Sequence, residues 1–345
     1  MRGRALGRYL LRTAVTAWVI VSVLFLLSRT VADQEAYLLN SLESDARLGT
    51  AEQRQLVQQL RHRAGLDAPI FYLTPDSRAG WQWHGVENQY HRWAAALVRG
   101  DWGFSYRHDT PVRGLLLDAL RYTLPLTTLA ALGSVGTALA LALGITRFPR
   151  WRRGTLAVAY GLQALPLFLV ATLLLLLLAN PDALAWFPAF GLAPDDDAPL
   201  WQQPGRALYY LALPAASLLL VTAPALLLQL HGAIGRELQR PYVATARAKG
   251  ASRWHVLWHH VLRNALLPSI AQLADLLPGL VAGSVVVEVL FALPGMGRLL
   301  TEAAATHDYP VLLGGVTLVV LARLLAQAGA DGLYYLVDPR IRLGT

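Results

Sequence analysis

The stretch TLAVAYGLQALPLFLVATLLLLLLA (residues 155–179) carries no charge and contains six consecutive leucines, Leu173 to Leu178. A helix that crosses the hydrocarbon core of a bilayer needs about 20 mostly apolar residues. This stretch is long enough, and it has company. Leu10 to Leu27 is a second apolar run, with Arg2, Arg4 and Arg8 before it and Arg12 within it. Leu124 to Ile145 and Ala207 to Leu230 are uncharged. Leu266 to Leu293 contains Asp275 and Glu288, and Val311 to Ala330 contains Arg323. Six such runs predict an all-α polytopic membrane protein with six transmembrane helices. A basic start followed by an apolar run also suits a cleaved signal peptide. No clear small-x-small site precedes Asp33, so the first run is read as a retained helix.

Composition agrees. Of the 345 residues, 55% are hydrophobic and 15% charged, against about 25% charged in a soluble domain. Cysteine is absent, which excludes disulfides, thiolate metal sites and cysteine nucleophiles. The net charge of +8 does not point to nucleic acid, because the arginines flank the apolar runs. The single lysine, Lys249, is followed by Gly250, so the chain has no Gly-Lys-Ser/Thr phosphate loop.

Basic residues in short loops set orientation. They cluster at the N-terminal tip, at Arg147 to Arg153, and between Arg236 and Arg263. The loop after the third run instead carries Asp182, Asp195, Asp196 and Asp197. With six spans the three basic segments share one side, and both termini are cytoplasmic. The expected organisation is an N-terminal transmembrane helix (1–30) and an extracytoplasmic segment (31–120). A membrane core of the remaining five spans (121–335) with an inner loop (231–265) and a cytoplasmic tail (336–345) follow. Helix-like patterns are read at Glu52 to Arg63 and His91 to Arg99.

The inner loop reads as two short helices around a turn. Pro241 suits the first position of a helix. Gly250 suits a helix end with positive φ. Ser252 suits the cap of a second helix ending near Leu267, before Pro268. Small residues at Ala244, Thr245, Ala246 and Ala248 let another surface approach the backbone. An amphipathic loop lying on lipid is the plainer alternative.

Tyr242-Val-Ala-Thr-Ala-Arg-Ala-Lys-Gly250 resembles the coupling-loop signature of ABC importer permeases. The closer resemblance is to the dipeptide/oligopeptide/nickel permease family, first-permease type. In the general signature Glu-Ala-Ala is followed after three residues by Gly, and later by Ile-x-Leu-Pro. Ala244, Thr245, Ala246 and Gly250, then His260, Leu262 and Arg263, occupy these positions; the Glu and the late Pro are missing. Other segments resemble family elements in order: Gly65-Leu66-Asp67-Ala-Pro69, Gly100-Asp101-Trp102-Gly103-Phe-Ser105, Pro111-Val112, Leu293-Pro294-Gly295-Met-Gly297, Asp308-Tyr309-Pro310 and Asp338-Pro339-Arg340.

The resemblance implies a type I ABC importer permease fold. It implies half of a pore in a bacterial inner membrane, completed by a second homologous permease. Two ATPase subunits, which bind ATP and Mg, would each receive a coupling helix. An extracytoplasmic substrate-binding protein would deliver a peptide or related solute. This chain would hold no cofactor and no metal. Ala244, Thr245, Ala246, Lys249, Gly250 and Leu262 are the expected ATPase-coupling residues. Gly100, Asp101, Gly103, Pro294, Gly295 and Gly297 are the expected structural turns.

Intramembrane charges are functional hypotheses by default. Asp275 and Arg323 lie at similar depths from one face and are expected to pair. The alternative is that Arg323 snorkels to the surface and Asp275 faces a pore. Glu288 is expected to hold the Pro294-Gly295 turn or to line the outer pore. His255 and His259 have metal-ligand spacing, but Val256 stands where a metalloprotease needs Glu. The competing function is an ion-coupled secondary transporter using Asp275 and Glu288, but no inverted repeats are found. An intramembrane enzyme would need polar residues converging at one depth, which spans two to four lack.

Gly250→Val tests the coupling loop, because a β-branched residue disfavours positive φ. A reconstituted importer carrying the variant is expected to hydrolyse ATP, through its ATPase subunits, without transport. Full transport would reject the turn argument.

Overall fold

The computed structural model describes residues 2–30, 67–76, 80–188 and 204–337. In chain order, α1 is Arg2–Thr30, a hairpin pairs β1 (Leu73–Asp76) with β2 (Gly80–Trp83), and α2 is Gln89–Val98. Helix α3 is Val112–Arg147, α4 is Arg152–Gln163 and α5 is Leu167–Leu174, continued by a π turn at Leu175–Ala179. Helix α6 is Pro204–Leu238 and α7 is Pro241–Ala248. Helix α8 (Arg253–Val256) runs through a π turn (Leu257–Val261) into α9 (Leu262–Leu290). Helices α10 (Met296–Ala305) and α11 (Tyr309–Val337) follow. The Glu52 to Arg63 pattern and the tail after 337 lie outside the described residues.

Two of these helices are long and apolar enough to cross a membrane: Val112–Arg147 and Gly205–Leu238. Shorter apolar helices cover Ala14–Arg29, Gly279–Leu290 and Tyr309–Leu325. The third apolar run departs from expectation. It is not one straight helix, because Pro149–Gln163 and Leu167–Ala179 are bent by 105°. Pro166 causes the break: its φ of −63° and ψ of 144° are extended, and it offers no N–H to the preceding turn. Each leg is about 20 Å long at 1.5 Å per residue, too short alone for a core of about 30 Å. The expected break before Pro268 is likewise absent, since α9 continues through it. Membrane helices tolerate an interior proline when the freed carbonyl is satisfied by other groups.

The chain divides into two compact units. The unit holding residues 118–301 is built on α6, against which α4, α5 and α9 pack. Lipid supplies no hydrophobic force between helices, so close approach at small residues matters. A Cβ at Gly133 of α3 would lie 2.8 Å from Leu219 of α6. A Cβ at Gly283 of α9 would lie 3.0 Å from Leu218 and 3.2 Å from Leu167. One core cluster gathers Ala142, Ile145, Leu230, Ile234, Val256 and Val261. A second gathers Leu126, Ala171, Leu218, Leu280 and Phe291.

Helix α9 ends in a turn locked by a carboxylate. Ala292 takes φ +52°, Leu293 N–H bonds the Glu288 carbonyl at 2.9 Å, and Ala292 N–H bonds Val289 at 3.3 Å. This is a Schellman end with alanine where glycine is usual. Glu288 is 0% exposed. Its carboxylate accepts from the Thr123 hydroxyl at 2.7 Å, Gly297 N–H at 2.6 Å and Arg298 N–H at 3.3 Å. The Thr123 hydroxyl in turn accepts from Met296 N–H at 2.8 Å. A Cβ at Gly295 would overlap the Glu288 carboxylate, and one at Gly297 would overlap Val285.

In the other unit (7–117 and 302–321), α1 packs on an aromatic group. Phe25 stacks on Trp93 at 4.9 Å and meets Tyr90 edge-on at 5.4 Å. Ser22 Oγ and Tyr90 Oη lie 2.6 Å apart. A second buried carboxylate, Asp308, bonds Ser105 Oγ at 2.5 Å and accepts from Tyr106 N–H at 3.1 Å.

Two substitutions three residues apart test the α9 turn in opposite directions. Gly295→Ala is expected to destabilise by about 2 kcal/mol through overlap with Glu288. Ala292→Gly is expected to stabilise by up to about 1 kcal/mol, since a left-handed alanine costs about 1–2 kcal/mol. Thermal unfolding in detergent reads both. Equal midpoints for the two variants would contradict this geometry.

Candidate coupling site

Helix α7 follows α6 after a two-residue turn. Arg240 is its N-cap and Pro241 its first residue. Eight residues make a helix about 12 Å long. Val243, 4% exposed, turns into the core cluster. Ala244, Thr245, Arg247, Ala248 and Lys249 are exposed, and Ala246 is half-buried. The outer face is therefore small side chains rimmed by cations.

The C-terminal end is a complete Schellman motif. Gly250 takes φ +87°. Its N–H bonds the Arg247 carbonyl at 2.9 Å, and Ala251 N–H bonds Ala246 at 3.2 Å. Ala246 and Ala251 both pack on the core cluster. Ser252 then caps α8 by accepting from His255 N–H at 3.2 Å. Leu262 is 7% exposed and belongs to the same cluster, so it faces the core and not the outer surface of α7.

Tyr242 ties α7 to its neighbours. Its hydroxyl donates to Glu237 Oε2 at 2.8 Å and accepts from Asn264 Nδ2 at 3.3 Å. Glu237 ends α6 and Asn264 begins α9, so one hydroxyl joins three helices. Burial raises the Tyr242 pKa above its ordinary value, and the hydroxyl keeps the proton it donates. Arg240 completes the group, 3.6 Å from Glu237. Sequence reasoning missed this network. The available signal was a tyrosine five residues beyond the loop's lone acid.

The remaining expected site residues lie apart from α7. Gly100 (φ +83°) and Gly103 (φ +79°) take left-handed conformations, and Asp101 Oδ1 accepts from Gly103 N–H at 3.0 Å. Pro294, Gly295 and Gly297 form the turn around Glu288. Asp275 lies within α9, but its side chain is outside the described residues. Arg323 is exposed on α11. The His255 and His259 rings stack at 4.2 Å, and His259 Nδ1 lies 3.3 Å from the His255 carbonyl.

Helix α7 thus presents an exposed face of small side chains and is held by the Gly250 motif and the Tyr242 hydroxyl. Comparison with known proteins identifies the context. The family model for the binding-protein-dependent transport system inner membrane component matches residues 134–343. The inner membrane ABC transporter permease protein YejB of Escherichia coli O157:H7 is 31% identical over 312 residues, 88% of this chain and 80% of that protein. The oligopeptide transport system permease protein OppB of Haemophilus influenzae is 32% identical over 263 residues, 74% of this chain and 80% of that protein. An inward-facing structure of the MetNI methionine ABC transporter superposes with a TM-score of 0.51 at 16% identity, covering 65% of this chain and 96% of that one. It shows the same type I importer permease fold. The ion-coupled alternative finds no support among these relatives. The chain belongs to the binding-protein-dependent transport system inner membrane component family and is a permease subunit of an ABC importer, whose ATPase is a separate subunit.

Proposed function

We propose that this chain forms half of a peptide-import pore and that α7 is its coupling helix to a cytoplasmic ATPase. The observation that carries the reading is α7 itself: exposed, small-faced, and clamped between α6 and α9 by Tyr242. Peptide transport is the activity named for OppB, and it suits the solute class here. Ala244, Thr245 and Ala246 allow the ATPase cleft to approach the backbone. Lys249 keeps the helix at the aqueous face, and Gly250 sets the sharp exit. Leu262 acts from below, as an anchor in the core. A second homologous permease completes the pore, two ATPases supply ATP and Mg chemistry, and an extracytoplasmic binding protein delivers the solute.

The proposed topology is six spans in the bacterial inner membrane with both termini cytoplasmic. The bent α4–α5 pair takes the place of the third span, and residues 31–120 lie outside. Closure of the ATPases moves α7, and a clamped helix passes that displacement on as a rigid-body push. This chain contributes path and lever; it catalyses no step.

Affinity purification of the tagged chain from native membranes tests the reading. A second permease and ABC ATPases are expected to co-purify. Replacing Ala246 and Gly250 together by Trp and Val is expected to lose the ATPases and keep the second permease. Recovery of the chain alone, still transporting after reconstitution without ATP, would overturn the reading.

A further inference from the structure

A cavity of about 520 Å³ lies between α3, α4 and α6. Leu141, Val158 and Leu227 represent its wall, which is almost wholly apolar. The turn that joins α3 to α4 adds Arg150 and Trp151 to the lining. No acidic side chain lines it among the described residues. Arg150 sits 5.9 Å from the Phe148 ring and 6.0 Å from the Trp151 ring. Phe148 and Trp151 are exposed, as are Arg147, Arg152 and Arg153 beside them. Aromatic rings and arginines together are the signature of a membrane–water interface.

We propose that this cavity is a binding site for an anionic phospholipid, with an acyl chain against the apolar wall and the headgroup at Arg150. Size favours this occupant. A helix is about 10–12 Å across, so little more than one turn of one would fill the volume. Chemistry favours it over the transported solute as well. A peptide brings N–H and C=O groups that need partners when buried, and this wall offers few. The concentration of arginines at one end selects negative charge, as basic pockets between transmembrane helices do. Gly154, also in the lining, leaves open space where a side chain would stand. The headgroup then belongs to the cytoplasmic leaflet, and only that assignment rests on the topology proposed above.

The test places the purified complex in nanodiscs of equal parts phosphatidylethanolamine and phosphatidylglycerol. It is then released into mild detergent and weighed by native mass spectrometry. Wild type is expected to retain phosphatidylglycerol in preference. Arg150→Gln is expected to lower that preference about five-fold, the effect of one cation near the headgroup. Gly154→Leu is expected to abolish the retained lipid while the subunits still assemble. Retention of both lipids in proportion to supply, or retention unchanged in both variants, overturns the proposal. So does efficient cross-linking of Gly154→Cys to the second permease, which would put a protein chain in the cavity. The reading is taken on whatever complex the chain purifies in, so failure of the importer topology does not alter it.

Discussion

Helix carbonyls without partners are the constraint on which the structure depends. An unpaired backbone group packed away from water costs about as much as a lost hydrogen bond, so a helix end that folds back on its neighbours needs a local solution. Four ends here use the same one. Helices α2, α7, α9 and α10 finish in paired bonds that fold the chain back, with left-handed residues at Gly100, Gly250, Ala292 and His307. The donors of the following turns are met by buried carboxylates: Glu288 for residues 297 and 298, and Asp308 for residue 106. A carboxylate taken out of water is costly unless several donors meet it, and these have them. Both acids hold turns in this structure, although an acid in a membrane run reads at first as functional.

The same device gives α7 the rigidity that its proposed coupling role requires. Helix α7 is too short to hold its shape alone, since isolated helices under about 12 residues are marginal. It is held instead by the Gly250 motif at one end, by Val243 in the core and by the Tyr242 hydroxyl across α6 and α9. Force on its outer face reaches both long helices without an intervening flexible segment.

Much of this was legible in the sequence, and the exceptions have physical reasons. Gly250, Gly100 and Ser252 announced their conformations because glycine and serine have local reasons to sit there. Ala292 and His307 gave no such notice, because the paired bonds at their helix ends hold them left-handed against an intrinsic cost of about 1–2 kcal/mol that neither residue type advertises. Hydropathy marked residues 155–179 as a membrane run but could not see the 105° bend, because composition does not weigh one proline in a stretch of 25 uncharged residues. Pro268 led the other way: it looked like a stop, yet α9 runs through it. The Tyr242 network was invisible because its partners lie five residues back and 22 residues ahead.

A rigid lever requires that α7 move with its own core as one body. The absence of native cysteine allows clean spin labelling at Thr245 on α7 and Arg153 on α4, both exposed. Their separation is measured by pulsed electron spin resonance in the assembled importer, with and without ATP. Rigid-body motion keeps that distance constant to within about 2 Å, the scale of small helix shifts, while the two coupling helices of the proposed pore approach each other. A change between Thr245 and Arg153 of a full helical turn, about 5.4 Å, would contradict it.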